Sequence, residues 1–322
     1  MNRLVAAVMG VGLLSTATIA RAAEPPAITI HAGKVDSLNH ALAVQFAEAV
    51  AQGNNALTVV VEESQGSVQN IKDALSRGGT YVFTAPPSLI AQARRGDKPF
   101  QRNRRYRNIR ALFPIPAQTM QWIVRADSDA RDLADLAGKS LVPGAKGSVS
   151  ETQTASALRA LGLEERVQLI DIDNAGAEAA LAGNQVAGIA MAGAVPLPTV
   201  STLAKATPVR LLGLTPGELA KVLAADDSTQ AQVIPRGTYP GQDRDVTSIA
   251  LPAGAYATTA MSEKTAYAIT KAFWSQKWAL GQRNPPWSTV TPASLGALGI
   301  KLHPGALRYY RDAGIKVPAA LR

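Results

Sequence analysis

Residues 141–152 read LVPGAKGSVSET, two glycines, a lysine and a run of hydroxyls ahead of a helix-forming stretch. Residues of these types can cradle phosphate, because glycine lets backbone N–H groups turn toward an anion and lysine adds a charge. A nucleotide loop needs the lysine directly before the hydroxyl residue, so that the ammonium reaches the terminal phosphates. Here Gly147 stands between Lys146 and Ser148, and the nucleotide pattern fails. What survives is a helix N-terminus whose free N–H groups and positive dipole end favour any small anion, a carboxylate included.

The other reactive side chains give no argument for an enzyme. His31, His40 and His303 lie at no metal-ligand spacing. No Gly-x-Ser-x-Gly elbow marks a hydrolase nucleophile. Cysteine is absent, which removes disulfides, thiolate zinc sites and a cysteine nucleophile. The acids Asp171 with Asp173, and Asp226 with Asp227, read as loop residues, since paired-carboxylate chemistry is defined by separation in space. No catalytic residue, metal ligand or cofactor is assigned.

Anion-binding places of the weaker kind recur at Lys34 to Asn39, at Ser64 to Asn70 and at Thr84 to Ser88, each at a strand end or the start of the next helix. In open α/β sheets ligands gather beyond the carboxyl ends of strands. Two lobes presenting such loops to each other would make a cleft that closes on a small solute.

The elements that must position these loops follow from periodicity. AITIHAG alternates as a strand, and HALAVQFAEAVAQ brings Leu42, Phe46, Ala49 and Val50 onto one helical face. LTVVVEES and TYVFTAP are further strands. GSVQNIKDALSRG is a helix with Ser67 as its N-cap and Gly78 as its stop, and PSLIAQARRG is a helix started by proline. The alternation resumes with MQWIVRADS, ETQTASALRALGL, VQLIDID, AGAEAALAGNQVAGIAMAG and PVRLLGLT. Strands alternating with helices mean an α/β fold with a mainly parallel sheet, here in two blocks. IPRGTYPGQDRDVTSIALPAGAYATT suits a return crossing between them, followed by helices in SEKTAYAITKAFWSQKWALGQ and HPGALRYYRDAG.

Met1 to Ala22 pairs a basic start with an apolar core and a small-x-small cleavage site, Ala20-Arg21-Ala22. It is expected to be a signal peptide cut near Ala22, which places the mature chain in the periplasm. The formal charge is +9, and Arg94, Arg95, Arg102, Arg104, Arg105, Arg107 and Arg110 crowd into one stretch. That stretch reads as a solvated loop facing a membrane or a partner, and nucleic acid is not expected as a ligand.

With these residues in place, the chain resembles the solute receptors of TRAP transporters of the TAXI type. The resemblance runs over nearly all of the mature chain and rests on ESQGSVQN, LFP before WIVRADS, DLADLAGKSLVPG, GTYPGQDRDV and LHPGALRYYRDAG, in that order. It implies a type II periplasmic binding fold of two lobes with a ligand cleft between them. Lobe 1 would comprise 23–115 plus 251–322, and lobe 2 would comprise 116–250 including the crossing segments. It also implies a small organic anion as ligand, either a glutamate-like amino acid or a 2-oxo or dicarboxylic acid. The receptor would hand it to a membrane-embedded TRAP permease. The alternative uses of such a fold are a sensor presenting its solute to a membrane receptor kinase, and an exported enzyme.

Three loops differ from the family's usual runs: Asp36-Ser37-Leu38-Asn39, Gln65-Gly66-Ser67-Val68 and Ser148-Val149-Ser150-Glu151. Ser37 and Asn39, Ser67, and Thr84 are the candidates from three loops of the first lobe. Gln118 and Thr119 come from the crossing region, and Ser148 and Ser150 from the second lobe. Each of these types also caps helices or builds turns.

Overall fold

The computed structural model describes residues 27–35, 37–172 and 174–322. The expected signal peptide and its cleavage point lie outside the described residues, as do Asp36 and Asp173.

The first block runs β1 (Ile28–His31), α1 (Leu38–Gly53), β2 (Val59–Glu62), α2 (Ser67–Asp73), β3 (Tyr81–Ala85) and α3 (Pro87–Arg95). β1 pairs in parallel with both β2 and β3, Ile28 opposite Val59 and Thr29 opposite Tyr81. The expected face of α1, with Leu42, Phe46, Ala49 and Val50, is buried. Two local expectations need correction. Gly66 occupies the N-cap position of α2, so Ser67 is its first helical residue and makes no capping bond. The helix also stops at Asp73, short of Gly78, where Leu75 and Ser76 turn their N–H groups back only three residues, onto the Lys72 and Asp73 carbonyls, and tighten the last turn.

β4 (Ile109–Arg125) is 17 residues long. At about 3.3 Å per residue it spans at most roughly 55 Å, enough to run from one core into the next. The second block follows as β5 (Ser140–Val142), α4 (Val149–Ala160), β6 (Gln168–Leu169), α5 (Asn174–Ala182), β7 (Gly188–Gly193), α6 (Pro198–Ala206), β8 (Val209–Leu212), α7 (Pro216–Ala225) and β9 (Gln230–Ile234). The strand expected from VQLIDID is short, and β9, just ahead of the IPRGTYPG run, is a strand that the periodicity does not anticipate. β10 (Val246–Thr258) then returns to the first block, and α8 (Glu263–Arg283) and α9 (Pro304–Asp312) close the chain.

The strand order is β2-β1-β3-β10-β4-β7-β5-β6. Parallel pairing holds in β2-β1-β3 and in β6-β5-β7, while the crossing strands β4 and β10 are antiparallel to each other and to their neighbours. The result is a mixed sheet with a lobe at each end and two strands between them.

The cores explain the division. One draws on residues up to Ile115 and from Ala255 onward, with Phe113 stacked on Phe273 at 4.0 Å. The other two lie on opposite faces of the second block. Met120, Trp122 and Val124 enter one, and Ile123 enters the other. That split is the two-residue period of a strand covered on both faces.

Candidate functional site

Between the two blocks lies a cavity of about 50 Å³. The first block supplies Asn39, Ser67 and Thr84, with Ala85, the last residue of β3, and Pro86 just beyond it. The crossing strands supply Ile115 and Gln118 from β4 and Leu251, Pro252 and Ala253 from β10. Val149, the first residue of α4, is the wall contributed by the second block.

Local chemistry sets each wall. Asn39 sits in the first turn of α1, where backbone N–H groups have no intrahelical acceptor. Val149 holds the corresponding place in α4. On β10, Leu251 pairs with Gln118 and Ala253 with Ile115, with a register shift between the two pairs. Pro252 lies at that shift, because it has no N–H to give the ladder, and the bulge turns it toward the cavity.

Thr84 is 1% exposed, and its Oγ1 is buried without a hydrogen-bond partner among the described residues. Its carbonyl accepts from Asn70 Nδ2 at 3.1 Å. The same amide reaches the Ala32 carbonyl at 3.1 Å and the His31 carbonyl at 3.3 Å. Tyr81 Oη donates to the Asn70 carbonyl at 3.0 Å. Asn70 therefore ties the ends of β1 and β3 to α2, and so fixes where Thr84 meets the cavity. Asn70 lies within ESQGSVQN, but a side chain that acts only through carbonyls carries no sequence signal.

Of the eight residues expected at the site, Asn39, Ser67, Thr84 and Gln118 line this cavity together. The other four do not line it. Ser37 caps α1, its hydroxyl donating to the Lys34 carbonyl and accepting from the His40 N–H. Ser148 caps α4 by accepting from Glu151 N–H at 3.1 Å. Ser150 accepts from Ala192 N–H at 2.8 Å, which ties α4 to β7. Thr119 is buried in β4, opposite Ala250 on one side and Gly193 on the other.

The loop before α4 is a tight turn. Gly144 has φ 116°, and a Cβ there would lie 2.4 Å from the Ser150 Cβ. Lys146 is exposed on this turn and does not line the cavity. The apolar walls, Ile115, Val149, Leu251 and Ala253, carry no polar group and so no chemical signal in the sequence. Only the pairing of β4 with β10 brings them together.

Among the described residues, none that lines this cavity is an acid or a base. Two of the histidines serve elsewhere. His31 Nε2 lies 2.7 Å from Glu62 Oε2, and this bond, with the Arg77 guanidinium nearby, holds the Glu62 carboxyl below its ordinary range. His303 caps α9, with Nδ1 accepting from Gly305 N–H and Nε2 donating to the Met261 carbonyl; burial pushes its pKa down. The arginine-rich stretch forms a short 3₁₀ turn on which Arg102, Arg104, Arg105 and Arg107 are exposed.

A larger groove of about 400 Å³ adjoins the cavity and shares Pro252 with it. Its charged lining is Arg95, Asp226 and Asp227, and Arg95 is already paired with Asp97 at 2.6 Å.

A family model described as the NMT1-like family matches residues 31–314. Among solved structures, the chain is similar to an unliganded TctC solute binding protein from Polaromonas, at 14% identity over 84% of this chain and 87% of that one, with a TM-score of 0.52. It is also similar to MatC from Rhodopseudomonas palustris with bound malate, at 12% identity over 90% and 98% of the two chains, with a TM-score of 0.49. A third is the periplasmic aliphatic sulphonate binding protein SsuA from Escherichia coli, at 18% identity over 89% and 83%, with a TM-score of 0.45. The likeness to TctC identifies the fold as that of the periplasmic binding proteins.

Proposed function

The chain belongs to the NMT1-like family, and from that premise we propose that it is a periplasmic solute-binding receptor that takes a small organic anion between its lobes. Residues 23–115 with 251–322 form one lobe in this reading, and 116–250 form the other. The observation that carries it is the cavity between them, where the free hydroxyl of Thr84 meets the amides of Asn39 and Gln118 and the first turn of α4. Those groups are hydrogen-bond donors on opposite walls, and a carboxylate that engages both would favour the closed arrangement.

The finer assignment is to the receptors of TRAP transporters of the TAXI type, which would deliver the solute to a membrane permease. The ordered segments from ESQGSVQN to LHPGALRYYRDAG support it.

The test is thermal unfolding of the mature chain against a panel of amino acids and mono-, di- and tricarboxylates. A ligand at a hundred times its Kd stabilises by about 2.7 kcal/mol, which raises Tm by roughly 5 °C in a chain of this size. If no anion in a broad panel shifts Tm or gives a calorimetric signal, the receptor reading fails.

A further inference from the structure

We propose that the ligand is a monocarboxylate with an apolar body, and that the site selects against a second carboxylate. This rests on the receptor reading above and narrows it.

The lining itself carries the argument. Asn39, Ser67, Thr84 and Gln118 offer neutral hydrogen-bonding groups, and among the described residues no arginine, lysine or histidine lines the cavity. One carboxylate can be met by neutral donors, because the free N–H groups in the first turns of α1 and α4 add fixed positive partial charge. The buried, unpartnered Thr84 hydroxyl is the further donor that singles out this cavity. A second carboxylate would be buried with no cation to pair with, which is strongly unfavourable.

The rest of the lining is apolar. Ile115, Val149, Leu251, Pro252 and Ala253 present hydrocarbon to whatever lies beyond the carboxylate. The space is also small, about 50 Å³, which leaves little room beyond a short chain. One neighbouring space that a longer ligand could enter is the groove past Pro252, and the charges there are unfavourable for an anion. Arg95 is neutralised by Asp97, and Asp226 and Asp227 face the same space. A dicarboxylate meets hydrocarbon within the cavity and acids along this groove.

Isothermal titration of the mature chain with chain-matched pairs, valerate against glutarate and isovalerate against malate, tests the selection. The monocarboxylate of each pair is expected to bind at least tenfold tighter. Val149→Lys, which places an ammonium on the cavity wall at a half-buried helix start, is expected to narrow or reverse that ratio by tenfold or more. Glutarate or malate binding as tightly as its partner would overturn the selection while leaving the receptor reading standing. A Val149→Lys chain that folds and keeps the wild-type ratio would equally overturn the placing of the ligand against Val149. Binding of neither series, together with silence across the broader anion panel, would sink both readings.

Discussion

Asn70 Nδ2 and the Thr84 carbonyl are joined by a 3.1 Å hydrogen bond between α2 and the end of β3. The same amide reaches the carbonyls of His31 and Ala32, so one fully buried side chain serves three backbone acceptors. Asn70→Ala strips those carbonyls of a partner in a place water does not reach. The expected loss is about 2–3 kcal/mol of stability, read from urea unfolding. Asn70→Asp is expected to be at least as damaging, since a carboxylate has no hydrogen to donate and carries a buried charge. If Asn70→Ala unfolds at the wild-type urea midpoint, this account of how Thr84 is held is wrong.

Thr84 itself separates binding from folding. Its Oγ1 makes no hydrogen bond within the described protein, so Thr84→Val removes an unsatisfied buried hydroxyl at nearly constant shape. The unliganded variant is expected to be as stable as wild type or more so, by up to about 1 kcal/mol. Binding is expected to weaken about tenfold, equivalent to about 1.4 kcal/mol. Thr84→Ser, which keeps the hydroxyl, should retain most of the affinity. Equal affinity in Thr84→Val and wild type would remove Thr84 from the site.

The same physics decides what was legible in the sequence. The helical face of Leu42, Phe46, Ala49 and Val50 and the alternation of strands with helices were visible because burial imposes a period on the chain. Ser37 and Ser148 were misleading as site residues because a helix cap and an anion site ask for the same thing, an oxygen or N–H beside the first turn. The neighbours Asn39 and Val149, which do line the cavity, lie one or two residues further on. The apolar wall was hidden for another reason. Ile115 and Ala253 are far apart in sequence and meet only through the antiparallel pairing of β4 and β10.

Ser150 and Ser67 make a matched pair with opposite expectations. Ser150 Oγ accepts from Ala192 N–H at 2.8 Å, so Ser150→Ala should cost about 1 kcal/mol in stability and leave the ligand Kd nearly unchanged. Ser67 makes no capping bond and lines the cavity, so Ser67→Ala should change stability by less than about 0.5 kcal/mol while weakening binding. Unfolding and titration curves on both variants check the contrast, and a reversed pattern would mean that the ligand lies against α4 and β7 instead.

His303 gives the fold a dependence on pH that does not involve the ligand. Its Nδ1 accepts from Gly305 N–H at 3.2 Å and its Nε2 donates to the Met261 carbonyl at 3.0 Å, an arrangement only the neutral ring can make. Burial, the largest influence, lowers its pKa from the ordinary value of 6.5, while the bond to the Met261 carbonyl opposes part of that shift. The unfolded chain therefore takes up a proton at a pH where the folded chain does not, and stability rises with pH across that interval. The contribution is complete above pH 6.5 and is lost as pH falls through the lower folded-state value. His303→Asn keeps a side-chain acceptor at the start of α9 and removes the titration. Its unfolding free energy is expected to be lower than wild type at pH 7 and to fall less between pH 7 and pH 5. A variant whose stability declines as steeply as wild type over that range would show that His303 is not the group responsible.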